Sequence, residues 1–348
     1  MTKKITIAID AMGGENSPKK ILDGLDIFLK NNNNKNDFVI KLFGDEKVIK
    51  SHLSTLKIKT EKVIVIHTES VVSDEETPLT AIKNSKNTSM WNSIKSQVDG
   101  QSDISLSAGN TAVLFVISKM ILKMMNGVSK PALAGLWPSK KGMSVVLDLG
   151  ANIECDEKNL IDFSEMGVSL FRSIFPNQQP KVALLNIGSE EIKGTEILKK
   201  TYSNLKNLNS EKKFLFNGYI EGNQIMNGDS NVIVTDGFTG NIALKTAEGT
   251  AKFVVDSLKN SLMENFISRL SIVFSYFSLK KFKSKLDPRK YNGAIFLGLN
   301  GPVVKSHGGT DAIGFYHSID LCYKIIKGNL MEEIKTNLSH LNAREKAN

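Results

Sequence analysis

Short apolar runs alternate with longer amphipathic segments along this chain. The apolar runs are rich in β-branched residues and end at Gly, Asn or Asp, which is typical of buried strands. They cover residues 5–9, 38–43, 63–67, 104–106, 145–149, 182–186 and 232–235. The amphipathic segments, which predict helices, include residues 17–30, 77–98, 111–125 and 191–208. This alternation predicts an α/β protein with a mostly parallel sheet covered on both faces.

Length and cysteine content narrow the class of protein. The 348 residues allow about two domains or one large one, and since no linker or repeat interrupts the pattern, we expect a single domain over residues 1–340. Two cysteines cannot form a disulfide framework, so a reducing cytoplasm is expected. No run approaches the roughly 18 apolar residues of a membrane span, and the first run stops at Asp10, too early for a signal peptide.

The formal net charge of +9 is concentrated in one segment. Lysine and asparagine are abundant throughout, so overall basicity is weak evidence for nucleic acid. Residues 251–290, however, hold nine Lys or Arg and three Asp or Glu, a net +6. Within 260–285, eight apolar residues recur at helical spacing, and lysines follow at positions 280, 281, 283 and 285. We consider two interpretations: a core or dimer-interface helix, or a helix pair at the tip of a dimer that contacts anionic lipid or an acidic protein.

Glycine and small polar residues follow most of the predicted strands. In parallel sheets, ligands bind beyond the carboxyl ends of the strands. In Ser107-Ala108-Gly109-Asn110-Thr111, the glycine allows a close backbone approach and the following helix start attracts anions. A capped strand-to-helix turn without a ligand has the same pattern. The nucleoside-triphosphate and dinucleotide glycine motifs are both missing.

A second turn combines glycines with an amide and an ammonium group. In Asp236-Gly237-Phe238-Thr239-Gly240-Asn241, a helix is predicted to begin near Asn241, with Lys245 one turn further on. Such groups suit phosphate or a developing oxyanion, although a capped helix with a solvated lysine is the plain alternative. Lys193 lies in another glycine-containing turn, and its ammonium group is likewise suited to phosphate or an oxyanion.

The sequence lacks the residue patterns that metal-dependent catalysis and serine or cysteine nucleophiles require. His307, beside Gly308-Gly309, is the histidine in a glycine-rich turn, and no His and acidic pair has zinc-ligand spacing, so we predict no metal site. A serine nucleophile elbow is missing. Cys155 follows a strand end, but a small buried apolar role is the better interpretation.

Six motifs in order resemble those of one bacterial family. Asp10-Ala11-Met12-Gly13-Gly14, the turns containing Ser107 and Asp236, Leu147-Asp148-Leu149-Gly150-Ala151-Asn152, Asn186-Ile187-Gly188 with Lys193-Gly194, and Leu297-Gly298-Leu299-Asn300-Gly301 with Lys305-Ser306-His307-Gly308 make up this series. It resembles the phosphate acyltransferase family (acyl-acyl-carrier-protein:phosphate acyltransferases, PlsX) over about residues 5–325. Departures include Glu15-Asn16, Ala112 and Tyr219, which affect local geometry.

The resemblance implies a fold, a reaction and a set of partners. The fold would be a three-layer α/β/α sandwich like phosphotransacetylase and the isocitrate and isopropylmalate dehydrogenases, usually a homodimer. The reaction would move a fatty acyl group from acyl carrier protein to inorganic phosphate, without a cofactor. The acyl phosphate would feed a membrane glycerol-3-phosphate acyltransferase in phospholipid synthesis, so a cytoplasmic, peripherally membrane-associated protein is expected.

Site residues follow from the turns and the resemblance together. Lys193, Asn241 and His307 are the catalytic candidates. The candidates for binding phosphate or the acyl donor are Asp10, Gly13, Gly14, Ser107, Gly109, Asn110, Thr111, Asn152, Asp236 and Lys245. Two alternative functions are a nicotinamide-dependent dehydrogenase, disfavoured by only four scattered arginines, and a basic RNA- or membrane-binding protein, which leaves the glycine-rich turns unexplained.

Overall fold

A computed structural model describes residues 4–32, 35–58, 60–73, 76–209, 214–285 and 287–345. The described residues form one eleven-stranded sheet. Its strands are β1 (Ile5–Asp10), β2 (Phe38–Gly44), β3 (Val63–His67), β4 (Ile104–Ser107), β5 (Ala132–Ser139), β6 (Gly142–Leu147), β7 (Lys181–Leu185), β8 (Leu215–Ile220), β9 (Val232–Val234), β10 (Ala294–Leu297) and β11 (Val303–Lys305).

Helices cover both faces of this sheet. They are α1 (Lys19–Asn31), α2 (Glu46–Leu56), α3 (Pro78–Asn84), α4 (Ser89–Val98), α5 (Thr111–Leu122), α6 (Glu157–Ile174), α7 (Glu196–Asn209), α8 (Gly237–Met263), α9 (Phe266–Lys285), α10 (Ala312–Lys327) and α11 (Leu330–Glu345). The largest apolar core lies under α1, α6 and α10. A second, smaller core lies under α4 and α5, and a third lies under α8. The predicted α/β/α sandwich is confirmed.

The strand order is β3-β2-β1-β4-β11-β10-β5-β6-β9-β7-β8. Strands β3, β2, β1, β4 and β11 are parallel, but β10 is antiparallel to both neighbours and β5 is antiparallel to β6. Strands β6, β9, β7 and β8 are therefore mutually parallel but point opposite to the first group. We call the carboxyl ends of β1, β4 and β11 the first edge, and those of β6, β9 and β7 the second edge.

The seven predicted strands are all present. The helix boundaries differ in several places, and α5 ends at Leu122 rather than at residue 125. The predicted helix over 77–98 is divided into α3 and α4, because Thr77 and Thr88 each cap a new helix start. Helix α7 begins at Glu196, five residues after its predicted start. Helix α1 begins at Lys19, so Ser17 does not cap it; the Ser17 hydroxyl instead donates to the carbonyl of Gly13 (2.6 Å).

Helices α8 and α9 form a pair whose apolar side chains are largely exposed. The break falls at Glu264 and Asn265, inside the helix predicted over 260–285. Phe274 and Phe277 are 84% and 82% exposed, so this segment does not pack into the core of its own chain. The side chains of Lys283 and Lys285 lie outside the described residues. No helix in the described ranges is both long enough and apolar enough to cross a membrane.

Candidate active site

The first edge carries a row of three buried polar side chains. Asp10, Ser107 and Lys305 end β1, β4 and β11, and the strand pairing places Lys305 beside Ser107. The Ser107 hydroxyl donates to Asp10 Oδ2 over 2.7 Å. Burial raises the pKa of the Asp10 carboxyl, and the hydrogen bond from Ser107 opposes that shift. The row therefore joins a carboxyl, a hydroxyl and an ammonium group across three neighbouring strands.

These side chains hold the turn that follows β4. Ser107 Oγ accepts a hydrogen bond from the Gly109 amide (3.1 Å), and Lys305 Nζ donates to the Ala108 carbonyl (3.3 Å). The turn after β1 lies directly against it, since a Cβ on Gly13 would be 2.8 Å from the Gly109 nitrogen. Only glycine fits this approach, so the predicted Gly13 and Gly109 serve close packing of the two turns.

A second buried lysine reaches the same turns. Lys20, from α1, donates through Nζ to the carbonyl of Gly308. Gly14 has a φ of 80°, and a Cβ there would lie 2.7 Å from the Ala108 carbonyl and 3.0 Å from Lys20 Nζ. The ammonium groups of Lys20 and Lys305 thus both lie at the turns that follow β1, β4 and β11.

Helix α5 begins at this edge of the sheet. Asn110 is its N-cap, and its Oδ1 accepts hydrogen bonds from the amides of Ala112 (3.0 Å) and Val113 (3.2 Å). Thr111 and Ala112 are exposed. Because the helix dipole and the first-turn amides favour negative charge, the accessible helix start can receive an anion.

His307 lies on the loop after β11 and is exposed. Its backbone amide donates to Asn292 Oδ1 (2.9 Å), and its Nδ1 accepts from the amide of Gly309 (3.2 Å). This bond leaves Nε2 as the protonated nitrogen of a neutral ring. His307 therefore belongs to the first edge.

The second edge is organised by the buried carboxyl of Asp148. It accepts hydrogen bonds from the amides of Leu133 (3.0 Å), Gly150 (3.1 Å), Ala151 (2.9 Å) and Asn152 (2.8 Å), and from Asn152 Nδ2 (2.8 Å). Burial raises the pKa of Asp148, and these donors oppose the shift. The predicted Asn152 is thereby fixed against the end of β6.

The amino end of α8 packs closely on this loop. Asp236 is the N-cap, and its carboxylate accepts from the Thr239 amide (2.8 Å) and hydroxyl (2.9 Å). A Cβ on Gly240 would lie 1.9 Å from the Asp148 carbonyl oxygen, so a glycine is required there. Asp236 thus caps α8, and its role in binding stays a prediction.

Asn241 and Lys245 follow along α8. Asn241 is exposed beside Gly150, where a Cβ would be 3.5 Å from the asparagine side chain. Lys245 Nζ forms an exposed ion pair with Glu248 (2.8 Å). Asn241 therefore borders the second edge directly, whereas the Lys245 ammonium is engaged on the surface of α8.

Lys193 lies in the loop after β7, also at the second edge. Asn186 Nδ2 donates to the Lys193 carbonyl (3.1 Å), and a Cβ on Gly194 would be 2.5 Å from Asn186 Oδ1. Lys193 Nζ is 4.0 Å from Glu190 Oε1, and the lysine side chain is 48% exposed. Its ammonium group is accessible to a ligand.

The candidate residues thus form two groups rather than one. Helix α5 starts at the first edge, and the carbonyl of its last residue, Leu122, accepts from Asn300 (3.1 Å), which follows the end of β10. That end lies at the second edge, where Asn152 Nδ2 also donates to the Pro131 carbonyl (2.6 Å) before β5. A 12-residue helix is about 18 Å long, which is roughly the separation of the two edges.

Neither cysteine has the character of a nucleophile. Cys155 and Cys322 are both buried. Burial, together with the charge of Asp148, raises the pKa of Cys155 to about 12. Burial also raises the pKa of Cys322. Thiols in such surroundings remain protonated and inert near neutral pH.

Three residues of the two edges are missing from the predicted set. Asp148, Lys20 and Lys305 are buried and bonded to the predicted turns. The signal for Asp148 and Lys305 was present, since both belong to the motifs described above. Lys20 lies in an amphipathic segment, where a lysine predicts only a solvated position.

Comparison with known proteins defines the class. The family model described as "Fatty acid synthesis protein" matches residues 5–333. The chain is 56% identical over 338 residues to the phosphate acyltransferase of Pelagibacter ubique (strain HTCC1062), covering 97% of this chain and 100% of the relative. It shares a fold with the EutD phosphotransacetylase from Staphylococcus aureus (TM-score 0.60, 15% identity, 93% and 94% of the chains covered). It also resembles 4-hydroxythreonine-4-phosphate dehydrogenase from Klebsiella pneumoniae (TM-score 0.52, 11% identity, 93% and 99% covered).

The family model and the relative, over nearly the whole chain, place this protein among the acyltransferases, and the likeness to the phosphotransacetylase shows the shared sandwich fold. The chain belongs to the phosphate acyltransferase family.

Proposed function

We propose that this protein transfers a fatty acyl group from acyl-acyl carrier protein to inorganic phosphate, giving acyl phosphate. The observation that carries the proposal is the relationship, over nearly the whole chain, to a protein named phosphate acyltransferase. The family description, a fatty acid synthesis protein, favours a fatty acyl donor. The product would supply a membrane glycerol-3-phosphate acyltransferase in phospholipid biosynthesis.

In the proposed reaction, phosphate itself is the nucleophile. A phosphate oxygen attacks the thioester carbon, a tetrahedral oxyanion forms, and the carbon–sulfur bond then breaks to release the carrier thiolate, which takes up a proton. Phosphate is already anionic at neutral pH, so no acyl-enzyme is required. The buried, protonated thiols of Cys155 and Cys322 support direct transfer.

The two edges supply complementary chemistry for this reaction. We assign phosphate binding to the turn from Ser107 to Thr111, where the start of α5 is accessible. Lys193 and Asn241 are exposed donors, suited to stabilise the oxyanion or to orient phosphate. His307 carries an accessible ring, and we assign its Nε2–H to donate a hydrogen bond to the departing thiolate, which takes its proton from solvent.

The helix pair α8–α9 suits a peripheral membrane role. Its phenylalanines are exposed, and the sequence from Arg269 to Lys285 contains no acidic residue. Apolar side chains beside lysines fit an anionic lipid surface, and the same lysines fit acidic acyl carrier protein. We propose a cytoplasmic homodimer that works at the inner membrane surface.

Thioester loss from acyl-acyl carrier protein tests the proposed reaction. Loss should require phosphate and should produce acyl phosphate. Lys193→Ala and Asn241→Ala should each lower the rate by about 10²-fold, the scale for one oxyanion donor. Loss independent of phosphate would contradict the proposal, and near-normal rates at saturating phosphate would remove Lys193 and Asn241 from the catalytic set.

A further inference from the structure

The loop that carries Lys193 is bonded to helix α7 through Glu191. This glutamate lies two residues before Lys193, in the loop after β7. Its Oε1 accepts hydrogen bonds from the Tyr202 hydroxyl (2.6 Å) and from Lys206 Nζ (2.9 Å). The two donors are four residues apart on α7 and therefore share one face of the helix. The Lys193 loop is thus fastened to the helix that follows it.

The protonation states of these groups favour the bond at neutral pH. The hydrogen bond to Glu191 raises the pKa of Tyr202 to about 12, so the phenol stays protonated and can donate. The bonds from Tyr202 and Lys206 lower the pKa of Glu191, so its carboxyl stays ionised and can accept. Hydrogen bonds to an ionised group are shorter and stronger than those between neutral groups. The contact between α7 and the loop is therefore a charge-assisted hydrogen bond.

Two aromatic residues of β8 hold the ring of Tyr202. Its centroid lies 5.2 Å from that of Phe216 and 4.8 Å from that of Tyr219. Residues three apart in a regular strand point to opposite faces of the sheet. The register shifts between these two residues, however, since their partners on β7, Val182 and Leu184, are only two apart. The extra residue forms a bulge in β8, which lets both rings contact Tyr202.

The other anchor of the loop is Asn186, which follows β7 directly. Its Nδ2 donates to the Lys193 carbonyl (3.1 Å), and the Lys193 amide donates to the Glu190 carbonyl (3.0 Å). The Lys193 side chain itself remains accessible. The place of this lysine at the second edge therefore depends on Asn186 on one side and on the contact of Glu191 with Tyr202 on the other.

We propose that Tyr202 is a positioning residue for Lys193. The assignment rests on the proposed function, in which Lys193 stabilises the oxyanion or orients phosphate. A donor acts in this way only when it is held about 3 Å from the reacting oxygen, and small displacements lower the rate. Tyr202 acts through the loop, by holding Glu191, and makes no contact with the substrate.

Tyr202→Phe tests this role, because it removes the hydroxyl and keeps the ring on β8. It should lower kcat/KM for phosphate-dependent thioester loss roughly three- to tenfold, the scale of one net hydrogen bond. In the Lys193→Ala background the same substitution should cause no further loss, because the side chain that it positions is gone. A purely structural role would lower the activity equally in both backgrounds.

Tyr219→Phe is the matched control. It removes a hydroxyl from the same aromatic group, and the buried Tyr219 hydroxyl has no hydrogen-bond partner among the described residues. Its activity should equal that of the wild type. The proposal would be overturned by normal activity of Tyr202→Phe, by an equal loss in the Lys193→Ala background, or by an equal loss in Tyr219→Phe.

Hydrogen exchange of the loop amides separates failure of this inference from failure of the proposed function. The peptide covering residues 187–195 should exchange several-fold faster in Tyr202→Phe than in the wild type or in Tyr219→Phe. Unchanged exchange would overturn the positioning role at any level of activity. Faster exchange in a protein whose wild type does not consume acyl-acyl carrier protein and phosphate would contradict the proposed function and support the bond between the loop and α7.

Discussion

Replacing Asn110 with aspartate adds a charge at the proposed phosphate turn while conserving the shape of the side chain. Asn110 caps α5 through its Oδ1, which accepts from two backbone amides. Aspartate is an equally good N-cap, so the helix should remain folded. Asn110→Ser, which also caps but carries no charge, is the matched control.

The magnitude follows from Coulomb's law. A carboxylate about 4 Å from a phosphate oxygen at an effective dielectric constant of about 20 costs roughly 4 kcal/mol per unit charge. Because Asn110 is partly accessible to solvent, we halve this value for the lower bound. At about 1.4 kcal/mol per factor of ten, the KM for phosphate should rise roughly 30- to 1,000-fold.

Steady-state kinetics with phosphate varied at saturating acyl-acyl carrier protein measures this effect. Circular dichroism and the midpoint of thermal unfolding establish that both variants fold. Asn110→Ser should stay within about tenfold of the wild-type KM, since it keeps a neutral cap. A normal KM for phosphate in a folded Asn110→Asp protein would refute phosphate binding at the start of α5.

Three further predictions concern the thiols, the helix pair and the buried Asp10. The double variant Cys155→Ala with Cys322→Ala should keep most of its activity, and an acyl-sized increase in protein mass, trapped before phosphate is added, would disprove direct transfer. Phe274→Ser with Phe277→Ser should release the protein from anionic vesicles while turnover in solution persists; unchanged vesicle binding, or none by the wild type, would assign α9 a purely structural role. Burial raises the pKa of Asp10 above its ordinary 3.8, so its stabilising contribution is present below that pH and is lost as pH rises. Asp10→Asn should therefore raise the free energy of unfolding in urea more at about pH 8 than at about pH 4, and a pH-independent difference would contradict this.

The sequence predicted the strands whose own residues favour that conformation. The seven predicted strands are continuous β-branched or apolar runs, which need little tertiary information. Two of the four missed strands contain interruptions. Strand β5 includes Gly135 and Pro138, and β8 includes Asn217-Gly218. These segments become strands because neighbouring strands pair with them.

The candidate site was predictable residue by residue but not as an arrangement. Glycine-rich turns identified the loops that hold Ser107, Asn110 and Asn241. Strand direction, however, depends on pairing between distant segments, so the reversal at β10 and β5 had no local signal. The candidate residues therefore lie at two edges of the sheet. The ion pair of Lys245 with Glu248 likewise depends on side-chain geometry that spacing alone leaves open.

The fate of phosphate oxygen tests the central claim most directly. Wild-type protein is supplied with acyl-acyl carrier protein and phosphate labelled with ¹⁸O at every oxygen, and the acyl phosphate is analysed by mass spectrometry. Direct attack by phosphate on the thioester carbon breaks only the carbon–sulfur bond, so the product should retain every labelled oxygen, with one free carrier thiol for each acyl phosphate. Release of the carrier thiol with free fatty acid and no labelled acyl phosphate would contradict the account.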